Sequence, residues 1–339
     1  MFFLERVIIL STCEGDNMLS FLNVKIKNTN KNRKKKKKKI SIVRLLKLLL
    51  LLIIGGIVYS FGVAVSENIR VDRTIEAFKD RSVFEEEVNF EYATGVFQVR
   101  RYYSVSRETS YELEDTRSVF YDSTRKFLGQ KGDVYVTRES PFPDSPAFHL
   151  FMSYYFGGHA AINNGENKFI EATGFPEDDE TVWDIITQPG NEPNDYSVTA
   201  SLSASNYWLN PRYRPANAPE VPYFGRGYRQ NFIGLRIKNV TQDQLDGVVE
   251  YGMDKVDVSL YNFLFFLDMK YKFYCTDLVS RAWQHVLIES DEQRLYSKAL
   301  NDDGFITSVS DIILSDDTYM TVYVEVIDEI YHIYYLEDI

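Results

Sequence analysis

Residues 157–174 read GGHAAINNGENKFIEATG, and the fold of the larger part of the chain turns on them. Two short runs, HAAIN over 159–163 and KFIEA over 168–172, flank an Asn- and Gly-rich stretch from Asn163 to Asn167. Strand-forming runs around such a stretch spell a β-hairpin, which sets Gly158 to Asn163 beside Lys168 to Thr173 in one sheet. Working outward, DVYVT at 133–137 and FIGLRI at 232–237 add strands, and the tail TVYVEVIDEIYHIYYLE at 321–337 adds two more. Thr241 is placed to cap a helix whose third position is Gln244 and which runs to about Lys255. A second helix begins near Cys275. The expectation is an α+β domain over 130–339 built on a central antiparallel sheet.

Leu45 to Val65 read LLKLLLLLIIGGIVYSFGVAV, about the length a bilayer requires. Arg33 and the six lysines Lys34 to Lys39 precede it. A basic block marks its own side as cytoplasmic, and it can also attract anionic lipid. The expectation is a basic segment over 1–43, a single transmembrane helix over 44–65, a cytoplasmic N-terminus and an extracytoplasmic C-terminal domain in a cell membrane. The rival reading is a cleaved leader, because Ala64-Val65-Ser66 offers small residues where a peptidase cuts. Met18 is an alternative start.

The 339 residues carry a net charge of -11, distributed unevenly. Met1 to Ser66 hold 13 Lys+Arg against 3 Asp+Glu, leaving 25 against 46 for the remainder, or about +10 and -21. A domain that acidic repels polyanions, so nucleic acid is excluded as its partner, and substrates with free amines suit it better than phosphate-rich polymers. Of the two cysteines, Cys13 precedes the apolar run and Cys275 follows it. On opposite sides of a bilayer they form no disulfide, which leaves Cys275 as a lone thiol.

Residues 66–129 are rich in charge and aromatics, and TIEAFKDR (74–81) and RSVFYDSTRKFL (117–128) space their apolar residues as amphipathic helices do. They predict a helical stalk or cap. Gly174 to Asn231 form a long insertion rich in Pro, Asn and Tyr, including PGNEPND and NPRYRPANAPEVP, expected to border a site.

In the helix from Cys275, residues Leu278, Val279, Ala282, Trp283 and Val286 form one apolar stripe. Cys275 falls on that inward face in the first turn, where unpaired N–H groups and the helix dipole favour a thiolate. Two readings stand for it: an inert, small core residue, or a nucleophile. His159, after two glycines, can take the thiol proton. Glu171, among apolar neighbours on the paired strand, needs a partner and would fix the imidazole tautomer; an edge-strand glutamate in water is its alternative. His285, near the far end of the helix, and His332, among terminal tyrosines, read as structural, and His149 ranks below His159 as a base. The chain contains no HExxH, CxxC, Walker or GxGxxG pattern, so neither metal nor cofactor is expected.

The order GDVYVTR, then GGHAAINNGENKFIEATG, then a strand-helix unit, then YNFLFFLDMKYKFYCTDLVSRAW resembles the circularly permuted NlpC/P60 papain-like cysteine hydrolases, in which the histidine strand precedes the cysteine helix. The resemblance covers about Gly132 to Val324. It implies a permuted papain-like domain, with Cys275 as nucleophile, His159 as base and Glu171 as orienting acid. Tyr261 and Tyr274 would line the substrate site, and the amide bonds of cell-wall stem peptides would be the substrate. The family's Cys-Ser-Glu is here Cys275-Thr276-Asp277, and the insertion and stalk have no counterpart. Acyl chemistry on lipids, or an inactive wall-binding module, are the alternative functions.

Overall fold

The computed structural model describes residues 42–140, 145–174, 176–177, 179–209, 230–265, 270–288, 299–301 and 306–339, without the side chains of 42, 92, 93 and 96. The chain divides into two units, Met1–Ile54 and Gly55–Ile339. The described part of the first is helical, and its side chains from Val43 onward are all exposed. The basic block lies outside the described residues.

Helix α1 spans Ile42–Asp80 and is long and apolar enough to cross a membrane. It does not stop where the apolar run ends at Val65. Past that point Val71, Ile75 and Phe78 recur on one face and are buried in the core of the second unit, and no Gly or Pro intervenes.

The second unit is α+β, with a mixed sheet of nine strands in the order β1-β2-β9-β8-β7-β3-β4-β5-β6. In chain order these are β1 (Ser82–Ala93), β2 (Val96–Val105), β3 (Val134–Thr137), β4 (His159–Asn163), β5 (Phe169–Ala172), β6 (Ala200–Leu202), β7 (Phe232–Ile237), β8 (Thr318–Ile327) and β9 (Ile330–Leu336). The helices after α1 are α2 (Ser110–Glu114), α3 (Pro146–Tyr155), α4 (Val182–Thr187), α5 (Gln242–Met253), α6 (Cys275–Leu287) and α7 (Val309–Leu314).

The strands within 130–339 pair antiparallel throughout, as expected, and the whole sheet is mixed only because β2, from before that range, runs parallel to β9. Residues 66–129 are a helical stalk only in part. The helix ends at Asp80, β1 and β2 form a long hairpin, and RSVFYDSTRKFL is a turn rather than a helix. There the Asp122 carboxylate accepts the Thr124 N–H at 2.9 Å and Arg125 adopts φ 53°, so local side-chain bonding replaces the helical ladder. Val119, Phe120 and Leu128 are buried around that turn.

The hairpin of β4 and β5 pairs Ala161 with Glu171, Ile162 with Ile170 and Asn163 with Phe169. Its turn is built as the sequence dictates. The Asn163 side chain accepts the Gly165 N–H, that of Asn164 accepts the Glu166 and Lys168 N–H groups, and Gly165 and Asn167 supply positive φ. At α5, Thr241 and Gln244 form a reciprocal capping box. The insertion is not wholly irregular, since it contributes α4 and the edge strand β6, which pairs with β5. NPRYRPANAPEVP lies outside the described residues.

Candidate active site at the end of the hairpin

Successive residues of a strand point to opposite faces, and this divides the site in two. Ile170 and Ala172 of β5 pack with Leu278 of α6, so the body of α6 lies on their face. Glu171 points to the other face. His159, two residues along β4 from the partner of Glu171, shares that face with it. Diagonal neighbours of this kind are within reach of long side chains, and the contact is made: His159 Nε2 lies 2.6 Å from Glu171 Oε2. Both side chains are buried. A hydrogen bond this short between buried partners holds the ring in one orientation, and with Nε2 engaged, proton exchange falls to Nδ1.

Tyr207 escapes the sequence reading. Its hydroxyl donates to the same Glu171 oxygen, and the adjacent Trp208 stacks against the His159 ring, with centroids 6.4 Å apart. Both come from the insertion, and Trp208 is one of the largest fully buried side chains. The cluster NYW inside a Pro- and Asn-rich stretch was the available signal.

Cys275 opens α6, directly after Tyr274 as N-cap, and is half-buried and not disulfide-bonded. Helix α6 packs on β4 and β5. Two contacts locate its N-terminus along them. Tyr261 feels the charge of Cys275, and a side chain added at Gly174 would run into the Tyr261 ring. Gly174 follows Thr173, just past the Ala172 end of β5, which in an antiparallel pair is the end where β4 begins at His159. Cys275 therefore stands at the His159 end of the hairpin.

The two tyrosines differ. Tyr261 is half-buried beside Cys275, and burial pushes its phenol far up, which keeps a protonated donor next to the thiol. Tyr274 is buried, and its hydroxyl accepts the Thr307 N–H at 3.0 Å, an arrangement that fixes it as wall. Asp277, in the first turn of α6, is fully buried, and desolvation pushes its pKa up to about 7 against the pull of Arg281, whose Nε is 3.4 Å away. Its carboxyl oxygens make no hydrogen bond among the described residues. With its pKa near 7 the carboxyl is only about half ionised at neutral pH, so it offsets the positive helix N-terminus less than an ordinary aspartate would.

The other histidines are placed elsewhere. His285 is exposed beside Tyr251, His332 stacks on Tyr103, and His149 lies on α3. Among the described residues no group of three or more His, Cys, Asp or Glu side chains is arranged to hold a metal.

No protein-family model, curated protein or solved structure matches this chain.

Proposed function

We propose that this chain is a membrane-anchored thiol hydrolase that cleaves an amide bond through Cys275, His159 and Glu171. The observation that carries the reading is the buried 2.6 Å contact between His159 and Glu171 at the end of the hairpin where Cys275 opens α6. His159 takes the thiol proton at Nδ1 while Glu171 holds Nε2 and stabilises the imidazolium. The thiolate attacks the carbonyl carbon, and the tetrahedral oxyanion is met by N–H groups at the start of α6 and by the protonated Tyr261. His159 returns the proton to the leaving amine, and water then hydrolyses the acyl-enzyme. The domain is a permuted papain-like fold on this reading, and α1 tethers it on the face opposite the lysine block. The resemblance to the NlpC/P60 hydrolases points to stem peptides of a cell wall as substrate. A lipid amide or ester is the second reading, favoured by the exposed apolar side chains of α3, the helix that leads into His159.

Alkylation of the full chain with iodoacetamide, followed at Cys275 across pH 5 to 9, tests the chemistry. A Cys275 that titrates below the ~8.5 of a free thiol and loses that advantage in His159→Ala supports it. A profile matching free cysteine overturns it. Stem peptides and acyl-lipid vesicles offered in parallel separate the two substrate readings, and turnover surviving Cys275→Ala rules out both.

A further inference from the structure

Helix α3, PAFHLFMSYY, is anomalous for a helix in water. None of its ten residues, all described, is buried, and it carries no Asp, Glu, Lys or Arg. Phe148, Leu150 and Phe151 are 44%, 66% and 48% exposed. A water-facing helix ordinarily sets charged residues opposite its apolar stripe, and a contiguous exposed apolar patch marks an interaction surface. Only the inner side of α3 is polar. The Ser153 hydroxyl there accepts the Ser140 N–H at 3.0 Å, and half-buried His149 lies one turn before it on the same side.

What covers the outer side follows from where α3 sits on α1. The Tyr154 ring stacks on Phe61 at 5.9 Å, and the Asn68 side chain donates to the Tyr154 carbonyl at 2.9 Å. Phe61 lies inside the apolar run that ends at Val65, about 6 Å further along the helix axis at 1.5 Å per residue. The C-terminal end of α3 is thus level with the last turns of the run. A bilayer crossed by the whole of that run therefore reaches the Tyr154 end of α3.

We propose that α3 is an interfacial helix, docked on the surface of the same bilayer that α1 crosses, with Phe148, Leu150 and Phe151 in the acyl–headgroup boundary. Aromatic and aliphatic side chains without charge suit that depth, and tyrosines such as Tyr154 and Tyr155 suit its rim. Docking fixes the domain against the membrane at a second point. It also brings the start of β4 to the lipid surface, because α3 continues through Phe156, Gly157 and Gly158 straight into His159. The inference rests on α1 spanning a membrane and is independent of the thiol chemistry.

The test uses the full chain in phosphatidylcholine–phosphatidylglycerol nanodiscs, with Cys13→Ser and Cys275→Ala as background. Single cysteines replace Leu50, Leu150, Phe151 or Asp243, each is labelled with an environment-sensitive fluorophore, and quenching by doxyl lipids reads depth. Asp243 is exposed on α5, whose following turn packs at the Asn163 end of the hairpin, away from α3. Labels at 150 and 151 are expected about 5–10 Å into the headgroup–acyl boundary, strongly quenched by shallow doxyl groups, while the label at 243 stays unquenched. Quenching at 50 with none at 150 and 151 overturns the docking of α3. No quenching at 50 overturns the span and the docking together.

Discussion

Two buried polar clusters lie in the same sheet and differ in chemistry. On β7, Arg236 is 1% exposed and its guanidinium donates at every nitrogen: Nε and Nη2 on the two oxygens of Asp133, Nη1 on the Arg117 carbonyl and Nη2 on that of Ser118. Asp115 and Tyr319 complete the network. On β4 and β5, His159 and Glu171 are buried and bonded as well, but one member is an imidazole, and the Cys275 thiol stands at their end of the hairpin. Buried, hydrogen-bonded polar groups are common to both. An imidazole belongs to one.

Arg236→Met should have the largest effect. Removing one partner strands Asp133 in a fully buried position, and stability should fall by about 3–5 kcal/mol, read by urea denaturation. The alkylation profile of Cys275 should not move. A shift of that profile would show the two clusters to be coupled and the division between scaffold and site to be false.

What could be read from residues alone divides along the same line. The hairpin, its Asn-Gly turn and the box of Thr241 and Gln244 join residues no more than 10 positions apart, so local chemistry states them. His159 and Glu171 could be placed on paired strands for the same reason. The β2–β9 pairing joins residues more than 200 positions apart, such as Val105 and Leu336, and no local pattern encodes it. SVFEEEVNFEYA (82–93) hides its strand because three consecutive glutamates blur the two-residue period. Tyr207 reaches Glu171 from 36 positions away, and Asp277 looks like an ordinary helix-start acid until its burial is seen.

A middle-sized effect concerns Asp277. Its carboxyl stands near 3.8 when unfolded and is pushed up to about 7 by burial in the fold. Between those values the folded chain holds a proton that the unfolded chain releases. Stability therefore falls as pH rises through this window, by up to about 1.4 kcal/mol per unit, and levels off above it. Asp277→Asn should remove that component, so the wild-type and variant stability curves should diverge between pH 4 and 7. Parallel curves would mean that Arg281 at 3.4 Å outweighs desolvation and keeps the acid ionised, which would make this pair a second scaffold cluster like that of Arg236.

The smallest and most discriminating effect belongs to Tyr207→Phe. Its hydroxyl donates to the Glu171 oxygen that also engages His159, so the two partners compete for one centre of negative charge. Without the hydroxyl, that charge rests more fully on the imidazole, raises its proton affinity and favours the thiolate–imidazolium pair. The pH profile of Cys275 alkylation should move downward by less than about one unit, with the fold retained because the ring stays in place. An unchanged profile would mean that Glu171 is not electrically linked to the thiol through His159, and the hairpin cluster would then be scaffold, as the Arg236 cluster is.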